Sequence, residues 1–266
     1  MQDYKDFILE ALEAASNIAR ESFGKVSSVT KLDDNNQVLT ETDIAIGELL
    51  VDKVKQQFPA HNIIDEEAGV IDRGSQFTWV IDPIDGTSNF ANGVLTYGIL
   101  LGLLDGGTPI AGGIAIPSQN EIYVATKGGG AFCGGERVGV TDEPKLLNSL
   151  VAYGIDGHQE DPDTTTQETE LVGRIVLHIR NLRSSNSAFD QAMVVKGGYG
   201  GSLNRTSKIW DNVAQQIVIE EAGGLYTDFF GKPIDYSNPC SRAGQNFTWC
   251  AASPILHQQL QAIIHA

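Results

Sequence analysis

Positive charge is scarce in this chain: 18 Lys plus Arg stand against 34 Asp plus Glu in 266 residues, a formal net charge of −16. A face basic enough to neutralise a run of nucleic-acid phosphates is therefore not expected. Adhesion to an anionic membrane surface is not expected either. Cysteine is scarce too. Cys133, Cys240 and Cys250 are an odd number with no Cys-x-x-Cys spacing, which suggests neither a disulfide framework nor a zinc site and fits idle thiols in a reducing compartment. The five histidines (His61, His158, His178, His257, His265) show no ligand spacing such as His-Glu-x-x-His, so zinc hydrolase chemistry is not expected. The longest apolar run, at 99–104, is far short of the roughly 20 residues that span a bilayer. The opening segment MQDYKDFILEALEAA carries acids from its third residue and no basic-then-apolar targeting pattern, which predicts a cytoplasmic protein. Internal repeats and low-complexity tracts are absent.

What is present is 41% apolar residues, enough for a substantial core in one large domain or two small ones. Residues 4–22 place Phe7, Ile8, Ala11, Leu12, Ala15, Ile18 and Ala19 at helical spacing. The polar stretch KLDDNNQ (31–37) follows. Thr42 reads as the N-cap of a second amphipathic helix, which carries Ile46, Leu49, Leu50, Val54 and Phe58 and stops before Pro59. From Phe77 the pattern turns to strands at 78–82, 96–104, 110–116 and 121–126, with DGG (105–107) and KGGG (127–130) as hairpin punctuation. After about residue 148, strands (150–154, 179–183, near Tyr199, 225–229, 247–251) alternate with helices (164–177, 187–196, 210–222, and from Pro254). This order predicts two layered subdomains in one unit, 1–145 and 146–266, with a seam in 141–150.

The segment WVIDPIDGTSNF (79–90) is the most informative. A strand delivers Asp82 at its end, Pro83 is expected to force the chain out of the sheet, and Asp85 follows three residues later. With the intervening Ile84 carbonyl, these oxygens can face one small volume, the donor set that Mg²⁺ prefers. Gly86 gives room for close backbone approach, and the segment after it can open a helix whose free N–H groups suit a phosphate oxygen. The acids of DEE (65–67) need neutralisation if they come together, whereas Asp211 alone reads as a dipole partner in the first turn of its helix. Glu220 and Glu221, at the other end of that helix, read as surface residues. Enzymes with an aspartate nucleophile space their two acids two apart; here they are three apart with Pro83 between, which favours a metal-activated water over a phospho-aspartate.

Taken together, TETD (40–43), DEE (65–67), WVIDPIDGTSNF (79–90), KGGGAF (127–132) and WDNVAQQIVIEEAGG (210–224) resemble the inositol monophosphatase family of Mg²⁺-dependent, lithium-sensitive phosphatases. They occur in family order over nearly the whole chain. The resemblance implies an α/β fold, the α-β-α-β-α sandwich shared with fructose-1,6-bisphosphatases. It implies two or three Mg²⁺ ions on Glu66, Asp82, the Ile84 carbonyl, Asp85 and Asp211. Thr87, Asp43 and Glu67 would position and deprotonate the attacking water, and the N–H groups of Gly86 and Thr87 would cradle the phosphate. A homodimer acting on a small phosphate ester is implied as well, with no nucleic-acid polymer or membrane as partner.

The match weakens where the family sets specificity. Inositol-selective relatives resemble a Gly-Ser/Thr-Ala-Ala pattern at 186–189, where this chain reads Asn186-Ser187-Ala188-Phe189. They also carry a Glu seven residues before the Trp-Asp aspartate; here that position is Asn204. Arg205, with Arg183 and Lys208 nearby, could meet a second anionic group or simply be solvated surface charge. Inositol phosphate or a sugar phosphate is the first expectation for the substrate. A 3′(2′),5′-bisphosphate nucleotide and histidinol phosphate are the alternatives with the same mechanism. A metal- or phosphate-binding regulator without activity is the alternative of another class.

Overall fold

Residues 2–25, 28–30 and 38–266 are described by the computed structural model; the polar stretch 31–37 lies outside them. Helix α1 (Gln2–Ser22) buries Ile8, Ala11, Leu12, Ala15 and Ala19, the stripe its spacing predicts. A short pair, β1 (Ser28–Thr30) and β2 (Val38–Thr40), leads into α2 (Glu41–Gln57). The N-cap of α2 is Thr40 rather than Thr42. Only Thr40 has an acid three residues on, and the pair closes a reciprocal box. The Thr40 hydroxyl accepts from the N–H of Asp43 at 3.4 Å, and Asp43 Oδ2 accepts from the N–H of Thr40 at 2.9 Å.

An eight-stranded sheet follows. Its members are β3 (Asn62–Asp65), β4 (Gly69–Ile71), β5 (Phe77–Asp85), β6 (Gly98–Asp105), β7 (Thr108–Ile116), β8 (Glu121–Thr126), β9 (Gly130–Cys133) and β10 (Glu136–Arg137), in the order β10-β9-β8-β7-β6-β5-β3-β4. All neighbours are antiparallel except β3 and β5. Gly106 and Gly107, both at positive φ, make the tight turn between β6 and β7. The run at 99–104 is apolar throughout because both of its faces are covered. Ile99, Leu101 and Leu103 face the core under α1 and α2, while Leu100 faces the opposite way.

The second sheet has five strands: β11 (Leu150–Gly154), β12 (Asn181–Arg183), β13 (Gly201–Ser207), β14 (Leu225–Thr227) and β15 (Phe247–Ala252), in the order β12-β11-β13-β15-β14. Its first three strands are parallel and the rest antiparallel. The strand expected near Tyr199 starts at Gly201, after the Gly197–Gly200 stretch. Short α3 (Thr87–Ala91) follows β5. Helices α4 (Pro162–Val176) and α7 (Pro254–Ile264) cover the outer face of this sheet, where Val151, Tyr153, Leu203, Leu256 and Leu260 share a core. Between the two sheets lie α5 (Ala188–Val195) and α6 (Ile209–Glu221), packed on residues of both. The layers therefore read α-β-α-β-α.

Glycine sets how closely α6 docks. Gly102 and Gly112 are partners across β6 and β7. A Cβ on Gly102 would stand 2.8 Å from Val213 Cγ1, and one on Gly112 would stand 2.6 Å from Ile217 Cγ2. The bare patch lets the helix backbone lie against the sheet. At the far end of α6, Glu221 is not a free surface acid: its carboxylate accepts the N–H groups of Gly128 and Gly130, each at 2.7 Å.

Candidate active site

Strand β5 does not end at Pro83. It continues to Asp85 through an irregularity: Asp82 pairs with Leu100 and Asp85 with Gly98, so three residues on β5 pass two on β6. The extra residue is a bulge, and Pro83, which has no N–H to give the ladder, sits inside it. In a regular strand, residues three apart point to opposite faces. The bulge removes that alternation, and ligand atoms of Asp82, Asp85 and Asp211 lie within 4.8 Å of one another. Asp211 comes from the first turn of α6, where its Oδ2 accepts the Lys208 N–H at 2.5 Å.

Two of these acids, Asp82 and Asp85, are pushed up by burial and by the charges around them. Asp82 is 1% exposed, and its carboxyl is held well above the ordinary range, first by burial and then by the charges of Glu66, Asp85 and Asp211. Asp85 is raised well above its range by burial and then by Asp211, Glu66 and Asp190. Asp82 Oδ1 is buried without a hydrogen-bond partner. An all-oxygen donor set, mutual repulsion and an unpartnered buried oxygen fit a hard divalent cation that neutralises the cluster. Glu66 lines the same cleft.

Gly86 has φ 90° and turns the chain into α3. A Cβ there would come 2.7 Å from Ser187 Cβ, so glycine is needed for both the conformation and the approach of the 187 segment. The Thr87 hydroxyl lies 2.8 Å from the Ile84 carbonyl and 3.0 Å from Asp43 Oδ1. Asp43 is buried, which raises its pKa, while its hydrogen bonds with Thr40 and Thr87 pull the other way. Glu67 acts on Asp43 through charge. Asp65 instead braces the turn, accepting the N–H groups of Glu67 at 3.0 Å and Ala68 at 2.6 Å.

Two residues escaped the sequence reading. Gln215 is fully buried and donates to Asp85 Oδ2 at 3.1 Å. It stands one helical turn after Asp211, a spacing that could have revealed it. Asp190 accepts the N–H groups of Ser185 and Asn186 at 3.2 and 3.1 Å, and burial pushes its carboxyl up to about 6. Its place three residues after Ser187 is a capping position.

Glu66, Asp82, Ile84, Asp85, Gly86, Thr87 and Asp211 line a cleft of about 860 Å³ that Asp156, Asn186, Ser187 and Asn204 also line. Arg205 does not line it. Its guanidinium lies 3.9 Å from Glu168 Oε1 and 5.7 Å from the centre of the Phe229 ring. Arg183 is not on the wall either; its Nη1 donates to the Leu182 carbonyl. Lys208 is on the wall and donates to the Gly244 carbonyl at 3.0 Å.

The sequence model described as "Inositol monophosphatase family" matches residues 1–265. The chain belongs to the inositol monophosphatase family. It is 32% identical over 230 residues to a fructose-1,6-bisphosphatase/inositol-1-monophosphatase of Thermotoga maritima, covering 86% of each chain. It is also 32% identical over 245 residues to inositol monophosphatase 2 of Solanum lycopersicum, covering 88% of this chain and 91% of that one. A solved IMPase structure from Thermotoga maritima superposes with a TM-score of 0.85 at 27% identity, over 99% of this chain and 97% of the other. Phosphoric monoester hydrolysis is the activity class that this inositol monophosphatase family brings. Among the described residues, no helix is long and apolar enough to cross a membrane.

Proposed function

We propose that the chain hydrolyses the phosphate monoester of a neutral polyol, inositol 1-phosphate or a sugar phosphate, with Mg²⁺ held by Glu66, Asp82, the Ile84 carbonyl, Asp85 and Asp211. The observation that carries this reading is the convergence of three carboxylates within 4.8 Å, one of them with a buried, unpartnered oxygen. When bound, two or three Mg²⁺ ions would offset that charge, acidify water and stabilise charge on the transferring phosphoryl group. Around them, Thr87 orients a water through its hydroxyl, with Asp43 behind it as proton acceptor and Glu67 tuning Asp43 by charge. The N–H groups of Gly86 and Thr87 meet the phosphate, and Gln215 fixes the carboxylate plane of Asp85. Lithium at millimolar concentration is expected to inhibit, and the active form is a cytoplasmic homodimer in this reading.

A neutral leaving group is favoured over a second phosphate because Arg205 and Arg183, two of the cations that could have met a second anionic group, make their contacts elsewhere. Without them the cleft is lined by Lys208 and His158 together with Asp156, Glu160 and Asp161. A panel of inositol 1-phosphate, fructose 1,6-bisphosphate, histidinol phosphate and 3′-phosphoadenosine 5′-phosphate tests the reading. Inositol 1-phosphate is expected to show the highest kcat/KM of the four. Equal, weak rates on all four, or a preference for either bisphosphate, contradict it.

A further inference from the structure

In the cleft that holds the acidic cluster, three polar side chains from three segments form a connected series. Asn204 of β13 donates through Nδ2 to Asn186 Oδ1 at 3.0 Å, and Asn186 donates through its own Nδ2 to Asp156 Oδ1 at 2.9 Å. Asn204 Oδ1 accepts the Thr206 N–H at 2.6 Å. Both amide oxygens are thus occupied within the protein, and the series ends on a carboxylate in the loop between β11 and α4. An ionised carboxylate has about four lone-pair sites, of which this series fills one.

The arrangement is rigidly supported. Gly154, at the end of β11, stands where any Cβ would collide with Asn186 Oδ1 and Asn204 Nδ2. Asn186 is held at φ 50°, a left-handed conformation that Asn tolerates better than most residues. Asp190 fixes that turn by accepting the N–H groups of Ser185 and Asn186. Asn204 is 4% exposed. Asp156, Asn186 and Asn204 all border the same cleft as Asp82 and Asp85.

We infer that Asp156, aimed by Asn186 and Asn204, is the specificity-determining acceptor for the leaving alcohol, receiving hydroxyl hydrogens of a polyol. The inference rests on the phosphomonoesterase reading of this cleft. Hydrogen bonds to an ionised acceptor are about twice as strong as neutral ones, and a site built to bind hydroxyls discriminates strongly against a substrate without them. Asp156 would equally repel a leaving group that carries a second phosphate, and Glu160 and Asp161 on the same loop add charge of the same sign.

The test compares inositol 1-phosphate with p-nitrophenyl phosphate, whose leaving group has no further hydroxyl, using the wild-type chain, Asp156→Asn and Asp156→Glu with Mg²⁺ present. In Asp156→Asn the ratio of kcat/KM between the two substrates is expected to fall by about tenfold or more, carried mainly by KM for inositol 1-phosphate. Asp156→Glu, which keeps the charge, is expected to retain more of the ratio than Asp156→Asn. Gly154→Ala, which parts the two amides, is expected to lower it as well. A ratio unchanged in Asp156→Asn overturns the assignment, as does a parallel fall on both substrates, which would mark a structural role. A wild-type chain that turns over neither substrate overturns the phosphomonoesterase reading itself, and this inference with it.

Discussion

Asp85 is the side chain on which the site's chemistry and electrostatics meet: it borders Asp82 and Asp211 and is held by Gln215. Replacing it with Asn removes one anionic ligand while keeping shape and one acceptor. Asp85→Asn is expected to lower phosphate release by about 10³-fold or more. The metal-free protein should meanwhile melt no lower than wild type, since a repelling charge has gone. A thermal melt in EDTA beside a turnover assay measures both, and near-normal turnover in this variant contradicts the ligand assignment. Gln215→Ala should have a smaller effect of the same kind. It leaves every proposed ligand in place but frees the Asp85 carboxylate to turn, so a loss of about tenfold in kcat, with Mg²⁺ affinity weakened, is expected. An unchanged Mg²⁺ titration in Gln215→Ala would show that the contact does not orient Asp85.

At the scale of the elements, the site depends on α6 lying against β6 and β7 over the Gly102–Gly112 pair. A methyl group at Gly112 must displace Ile217 or the Ala214 backbone of α6. Gly112→Ala is expected to destabilise the fold by about 1–3 kcal/mol, measured by urea unfolding. It should also weaken Mg²⁺ binding, because the same helix carries Asp211. Full metal affinity in a destabilised variant would show that Asp211 is placed by its own cap rather than by the helix seat. The elements themselves were largely legible in the sequence, since the helical stripe of α1 and the turns at 105–107 and 127–130 are local signals. What was not legible needed partners distant in the chain. The bulge that carries Pro83 within β5 exists only because β6 supplies the second strand. Glu221 reads as surface until the β8–β9 turn is brought to it. Arg205 reads as an anion partner or as solvated surface charge until Glu168 and Phe229 are placed beside it. In TETD the cap is Thr40, two residues before the Thr42 that the apolar spacing suggests, and the acid three positions after Thr40 is its readable sign.

For the whole molecule, the net charge of −16 acquires a local part. Glu66, the pair Asp82 and Asp85, and Asp211 come from three stretches and line one cleft, with Asp43 behind Thr87, so the metal-free site should repel the anionic substrate that the loaded site attracts. Stability carries its own pH dependence through His257, which is 6% exposed and lies 2.9 Å from the Thr227 hydroxyl, joining α7 to β14. Burial lowers its pKa below the ordinary imidazole value of 6.5. The unfolded chain therefore takes up the proton first, and stability present above about pH 6.5 is lost as pH falls below it. His257→Gln should flatten that slope in urea titrations between pH 5 and 7.5 (a range set by the ordinary imidazole value of about 6.5), and an unaltered slope would assign the pH dependence elsewhere.

The central claim is that the converging acids make a metal-dependent phosphomonoesterase. Its most direct measurement is phosphate released from inositol 1-phosphate by EDTA-stripped protein as Mg²⁺ is added back. The account predicts no release without the metal and a saturable rise with it, abolished in Asp85→Asn. Release that persists in EDTA, or none at any Mg²⁺ concentration, would contradict it.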